Sequence, residues 1–149
     1  RQRQMCIRDS AKFDGTPFDP YGLGTDNFQY DAWRVAMNVA LDYEWFAADR
    51  WAIIQSNKLL DFFAGKGIKI YGNMFTLDGK QLSDTRNPGL IAMNAAACLA
   101  STNKNRIEFV KELWDTPIPI EEGRYYDGLL YMLGLLAVSG NFKIYDPTK

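Results

Sequence analysis

Histidine is absent from the 149 residues. Its absence removes Ser–His and Cys–His nucleophile pairs and the usual zinc ligands, so any catalysis must rest on carboxylates helped by Arg, Tyr, Asn or Trp. Cysteine is nearly absent too, with Cys6 near the start and Cys98 inside a small-residue run. No disulfide framework follows, and cysteine usage names no compartment. Apolar stretches are broken well short of a membrane span. Lys and Arg are scattered and form no basic stripe of the kind nucleic acid requires. The Asp and Glu residues show no EF-hand spacing, so neither a metal nor another cofactor is expected.

What the chain does have is bulk. Hydrophobic residues make up 47% and aromatics 14%, enough for one packed domain with a sizeable core. The first ten residues, RQRQMCIRDS, do not fit that body. MCIRDS is what the codons ATG TGT ATA AGA GAC AG(x) encode, a string that resembles a transposase adapter from sequencing libraries. Residues 1–10 are therefore set aside as a library scar, which puts the native N-terminus upstream of this chain. The scar takes three Arg and one Asp with it, so the formal charge of −1 becomes about −3 for the remainder. Any secretion signal would lie upstream as well. A secreted parent is the expectation, and localisation stays open.

Residues 11–30 are rich in Gly, Pro and aromatics without a period and read as an irregular surface loop. A helix should begin at Asp31, where DAWRVAMNVALDYEWF is apolar or small on nearly every side and reads as buried all round. DRWAIIQSNKLLDFFAGKG is amphipathic, with Trp51, Ile54, Leu59, Phe62 and Phe63 on one side and a stop at Gly65 and Gly67. A long loop follows, with a short hairpin turning at Asp78-Gly79. The third helix, Gly89 to Ala100, is apolar round its girth. The fourth, Lys104 to Trp114, is amphipathic through Ile107, Val110, Leu113 and Trp114. The fifth, Tyr126 to Val138, is apolar all round and ends at Gly140.

The order is buried, amphipathic, buried, amphipathic, buried. It predicts an all-α fold in two concentric layers, with parallel inner helices whose N-termini share one rim. The loops before Asp31, Gly89 and Tyr126 would line a cleft there. Two and a half helix pairs do not close a ring, so part of a toroid is expected. A helical solenoid is the competing arrangement, but the inner helices start at uneven intervals and no repeat recurs.

Asp31 has two readings from spacing alone. It stands where a helix N-cap should, able to accept from the backbone N–H of residue 33 or 34, with Tyr30 and Val35 set for a hydrophobic staple. Against that, Arg34 occupies the position where Glu or Gln would complete a capping box. A cation there needs an anionic partner. The helix N-terminus and Arg34 together favour an ionised Asp31, and an ionised carboxylate at a cleft rim can act as a general base. Tyr125 and Tyr126 precede an inner helix and face the same rim, either stacking on a sugar or packing under the loop. Asp127 reads as an N-cap for the last helix. Trp33 and Trp45 read as core, and Asp42 and Glu44 as solvated or structural.

YDAWRVAMNVALDYEWF, PGLIAMNAAACLA and GRYYDGLLYMLGLLAVSGNFKIY, in that order, resemble the C-terminal half of glycoside hydrolase family 8. The resemblance covers most of residues 28–145. It implies that residues 11–149 are the C-terminal portion of an (α/α)6 catalytic domain that hydrolyses β-1,4-linked glycans with inversion. It assigns the general base to Asp31, its orienting partner to Arg34, and a leaving-group-side stacking surface to Tyr30. The family's general acid, a Glu on an early helix, has no match here, so the chain carries half of the machinery and should be inactive alone. The missing N-terminal part of the domain would be its partner.

VAMN after Arg34 is closer to the xylanase branch than to the cellulase branch, where Pro commonly follows the Arg. Exo-acting members that release xylose from the reducing end share a His-containing loop, and here the loop Asp84-Thr-Arg-Asn-Pro-Gly89 holds no His. An endo-β-1,4-xylanase acting on xylan is thus expected ahead of the exo type or a β-glucanase. From other classes, a non-catalytic carbohydrate-binding protein on the same toroid and a helical interaction module remain.

Overall fold

The structure, a computed structural model, describes residues 12–19, 21, 22, 24, 26–47 and 50–144. Residues 1–10, read above as a library scar, lie outside them. Five α-helices form among the described residues: α1 Trp33–Phe46, α2 Trp51–Lys66, α3 Pro88–Ala97, α4 Arg106–Asp115 and α5 Tyr126–Val138. Their ends follow local chemistry. Ala47 closes α1 in the left-handed conformation with its N–H on the Tyr43 carbonyl, and Gly67 and Gly140 take the positive φ that ends α2 and α5. Asn87 caps α3 by accepting from the Gly89 N–H at 2.9 Å, with Pro88 in the first turn.

The predicted hairpin is present. Strands β1 Met74–Phe75 and β2 Gln81–Ser83 pair antiparallel, and Gly79 at φ 86° makes the turn. Its use is to pin the entry to the first helix. Phe28 and Phe75 exchange two backbone hydrogen bonds, 2.8 and 3.1 Å, and the Phe28 ring lies 6.0 Å from that of Phe63. Phe63 is fully buried, with Phe62, Tyr71 and Phe75 also around its ring.

The layering agrees with the predicted alternation. The middle inner helix, α3, packs against α1 on one flank and α5 on the other, while α2 and α4 cover them from outside. Both ends of α1 meet the matching ends of α5. Tyr126 Oη reaches Asp31 at one end, and Trp45 Nε1 donates to the Phe142 carbonyl at 3.1 Å at the other. The inner helices therefore run parallel, and the arrangement is an arc of a two-layered helical toroid. Small residues bring α3 and α5 together: a Cβ on Gly134 would lie 2.8 Å from the Ala92 Cβ and 2.9 Å from its carbonyl oxygen.

Several burial expectations need correction. α3 is buried on every side from Gly89 to Ala97, but α1 buries only Trp33, Met37, Ala40 and Leu41, and α5 only Leu130, Tyr131, Gly134 and Ala137. Each has a neighbour on one flank only among the described residues, so Val35, Leu129 and Met132 stand exposed. The outer helices keep only part of their expected faces: Phe63 and Leu113 are buried, and Leu59, Phe62 and Val110 pack against the core. α2 packs through Ala52, Ser56, Leu60 and Phe63, spaced one turn apart, and leaves Trp51 and Ile54 exposed. α4 packs through Phe109 and Leu113, leaving Ile107 and Trp114 outside. In both cases helical spacing from the expected anchors, Phe63 on α2 and Leu113 on α4, points the remaining large apolar residues outward.

Candidate active site

The segment into α1 is irregular where the chemistry was expected. Gln29 is extended, Tyr30 to Ala32 form a 3-10 turn, and the regular helix starts two residues after Asp31. Tyr30 has φ 39°, in the left-handed region that an aromatic residue rarely enters, at a cost on the order of 1–3 kcal/mol. The Phe28–Phe75 backbone pair on one side and ring packing on the other hold it there. The Tyr30 ring lies 5.3 Å from that of Trp33 and 6.3 Å from that of Tyr126, and Trp33 lies 6.2 Å from Tyr126. The rings make a rim cluster in which Trp33 is wholly buried and half of Tyr30 faces solvent.

Asp31 does not cap the helix: no side-chain cap hydrogen bond forms at the start of the 3-10 turn or of α1. Its carboxylate turns across the rim. Arg34 Nη2 meets Oδ1 at 2.8 Å, which is the anionic partner the sequence demanded for that cation. Tyr126 Oη donates to the same Oδ1 at 3.3 Å. Burial first, and then the charge of Asp31, push the Tyr126 phenol above its ordinary value, so it stays protonated as a donor. No described donor contacts Oδ2, and the side chain is 42% exposed. An anchored carboxylate with one oxygen open to water is what proton abstraction from water needs.

The two tyrosines ahead of α5 part company. Tyr126 turns inward to Asp31, whereas Tyr125 stands 84% exposed beside Arg124, Leu129 and Met132. Successive residues at a helix start point about a quarter-turn apart, so only Tyr126 faces Asp31. Tyr30, Asp31, Arg34 and Tyr126 are thus brought together, and Tyr125 is not.

Asp127 also differs from its expected role. It does not cap its own helix but lies in the first turn of α5 and reaches across to α3, accepting from Asn87 Nδ2 at 3.1 Å. Its Oδ1 is buried without a hydrogen-bond partner, and burial raises the carboxyl above its ordinary value, partly offset by Asn87 and the nearby Gly89 N–H. Sequence reasoning missed Asn87. Asn followed by Pro is a helix-start signal that could have placed it, but nothing local reports a contact to a residue 40 positions away.

Trp33 is buried and Trp45 partly so, as expected, and Asp42 and Glu44 are exposed at the far end of α1. A groove of about 470 Å³ between α1 and α2 is lined by Phe28, Val35, Val39, Trp51, Leu59 and Phe62 among others, with no carboxylate. It is mainly apolar, and Asp31 is not among its lining residues.

Comparisons with known proteins bear on this rim. No protein-family model matches the chain. A reducing-end xylose-releasing exo-oligoxylanase of Paenibacillus barcinonensis is 42% identical over 139 residues, which cover 91% of this chain and 36% of that protein. Endoglucanase A of Acetivibrio thermocellus is 33% identical over 139 residues, covering 91% of this chain and 28% of the relative. A GH8 xylobiose complex from Teredinibacter turnerae superposes with a TM-score of 0.83 at 41% identity, over 89% of this chain and 34% of that one. The chain spans about a third of the length of the curated relatives it matches. Over about nine-tenths of its residues, it is similar in both sequence and fold to glycoside hydrolases of family 8.

Proposed function

We propose that this chain is part of an inverting family 8 hydrolase of β-1,4-linked glycans, acting as an endo-β-1,4-xylanase, with Asp31 as its general base. The observation that carries the reading is the posture of Asp31. It gives up helix capping, lies at the rim on Arg34 and Tyr126 through one oxygen, and keeps the other open. In the reaction, water on the far side of the sugar ring gives its proton to Oδ2 as its oxygen attacks the anomeric carbon. Arg34 and Tyr126 hold the carboxylate still and stabilise its charge until then. Tyr30, half exposed beside it, offers a ring face to a pyranose.

Inversion needs a second carboxyl about 6.5–9.5 Å away to protonate the leaving oxygen. That acid is assigned to the longer enzyme, outside this chain, and the chain alone is therefore inactive. Xylan is favoured as substrate because two relatives named as exo-oligoxylanases are 41–42% identical and a third 29%, against 25–33% for three endoglucanases. The same names favour a second reading, release of xylose from reducing ends. The lack of any histidine in the sequence weighs for the endo mode.

The test is reducing-sugar release from xylan by the chain rebuilt with its upstream sequence, with and without Asp31→Asn. Loss of about 10²–10⁴-fold in kcat on losing a general base is expected. Equal rates for the two proteins would return Asp31 to a structural role. A viscosity fall that precedes xylose release marks the endo mode, and xylose as the first product marks the exo mode.

A further inference from the structure

We infer that Asp127 and Asn87 form a clamp between the N-termini of α5 and α3 that positions the Tyr126 hydroxyl against Asp31, making Asp127 a positioning residue for the general base. The inference rests on the functional reading above and goes one layer beyond it. Tyr126 touches Asp31 from the first residue of α5, so the rotation and height of that helix end decide whether Oη reaches Oδ1. The 3.3 Å contact is already long for an O–H donor, and a small displacement would break it.

The helix end has two ties to α3. Midway along, the Gly134–Ala92 contact sets the separation of the axes but lies two turns from Tyr126. At the rim, the residue next to Tyr126 is Asp127. Its Oδ2 accepts from Asn87 Nδ2, and Asn87 is itself fixed because its Oδ1 caps α3 on the Gly89 N–H. One side chain thus closes α3 and grips α5. The approach depends on glycine at position 89, where a Cβ would fall 2.7 Å from Asp127 Oδ1 and 3.0 Å from Leu130 Cδ1. Asp127 meanwhile accepts a cost: one oxygen is buried without a partner, and the carboxyl is held above its ordinary value. A group that only filled space would be less costly as Leu or Ala, so the polar grip on Asn87 is the feature that explains an acid here.

The experiment uses the rebuilt enzyme in four forms: wild type, Asp127→Ala, Tyr126→Phe and the double variant, with Asp127→Asn as the conservative control. Asp127→Ala is expected to lower kcat roughly tenfold to a hundredfold with little change in KM, as a misplacement of about 1 Å does. In the Tyr126→Phe background the same change should cost nothing further, because the group through which Asp127 acts is gone. Asp127→Asn, whose amide oxygen can still accept from Asn87, should recover most of the loss. Independent, multiplying losses in the double variant, or a lowered Tm with kcat unchanged, overturns the inference. Should the wild type hydrolyse no β-1,4-glycan, the functional reading fails and the clamp is judged from a crystal structure of Asp127→Ala. There, Tyr126 Oη beyond hydrogen-bond reach of Asp31 supports positioning, and an undisturbed contact overturns it.

Discussion

Two helices of equal apolar character have different fates in this fold. From Gly89 to Ala97 every residue of α3 is buried, whereas α5, just as rich in Leu and small residues, buries four and leaves Leu129 and Met132 about half exposed. The difference lies in the neighbours. α3 has α1 and α5 on its flanks and α4 behind it, while among the described residues α5 packs along α3 and α4 and meets α1 mainly at its ends. Apolar girth in a sequence therefore reports how many partners a helix is built for, and burial reports how many it has. The open faces of α1 and α5 fit the proposal that the chain is an arc of a longer toroid.

The sharpest way to break the comparison is at the α3–α5 crossing. Gly134→Val would drive branched atoms into Ala92, whose Cβ and carbonyl already lie 2.8 and 2.9 Å from the position of the first added carbon. Neither is the end of a flexible side chain that could swing aside, so the helices must part. The expected cost is about 3 kcal/mol, the upper end for overpacking, read as the fall in Tm of the rebuilt enzyme. An unchanged Tm would show that α5 is free to shift, which would also undercut any tight placement of Tyr126.

The same changes made on the open faces should do almost nothing to the fold and much to its behaviour in solution. In the isolated chain, Val35 on α1 and Met132 on α5 are exposed within apolar surroundings, the groove beside α2 and the strip next to Tyr125. Such patches promote association. The isolated chain is expected to aggregate or to unfold without a sharp transition. Val35→Lys with Met132→Lys should raise its soluble fraction while shifting stability by no more than about 0.5 kcal/mol, within the usual range for surface changes. A sharp cooperative transition of the unaltered chain in dilute solution would contradict the first half of that expectation. Precipitation unaffected by the lysines would contradict the second.

The fold was legible where chemistry is local. The stops at Gly67 and Gly140, the Asp78-Gly79 turn and the alternation of apolar and amphipathic helices are set by neighbours within a few residues and are present, whereas Gly65, also expected to stop α2, lies inside it. Parallel inner helices followed from the alternation, and that placed Asp31 and Tyr126 on one rim although 95 positions separate them. The faces of α2 and α4 were legible in part: Phe63 and Leu113 anchor them as expected, but Leu60 and Phe109 complete the buried register while Trp51, Ile54 and Trp114, which look like anchors by size, stand outside. The cap reading of Asp31 failed. The chain enters α1 through a 3-10 turn over Tyr30–Ala32, so Asp31 sits inside a helical turn and not at its cap position, and its carboxylate turns to Arg34. The role of Asp127 was invisible, since it depends on how closely Gly89 lets α5 approach.

The smallest effect expected is a pH dependence at that last contact. The Asp127 carboxyl is held above its ordinary value of 3.8, mainly by burial. A carboxyl that binds its proton more tightly when folded adds stability that is fully present below 3.8 and is lost as pH rises through the folded value. Asp127→Asn cannot ionise, so its stability lacks this fall. The Tm of the variant minus that of the wild type should therefore be flat at low pH, grow as pH rises past 3.8, and level off once the folded carboxyl is ionised. Asp31 and Arg34 across the rim are present in both proteins and drop out of the difference. Partial exposure of Asp127 keeps the change to a degree or two, roughly the scale of a few tenths of a kcal/mol. A difference that falls with pH instead would mean that the ionised carboxylate is the stabilised form, with Asn87 and the Gly89 N–H outweighing burial at the junction of α3 and α5.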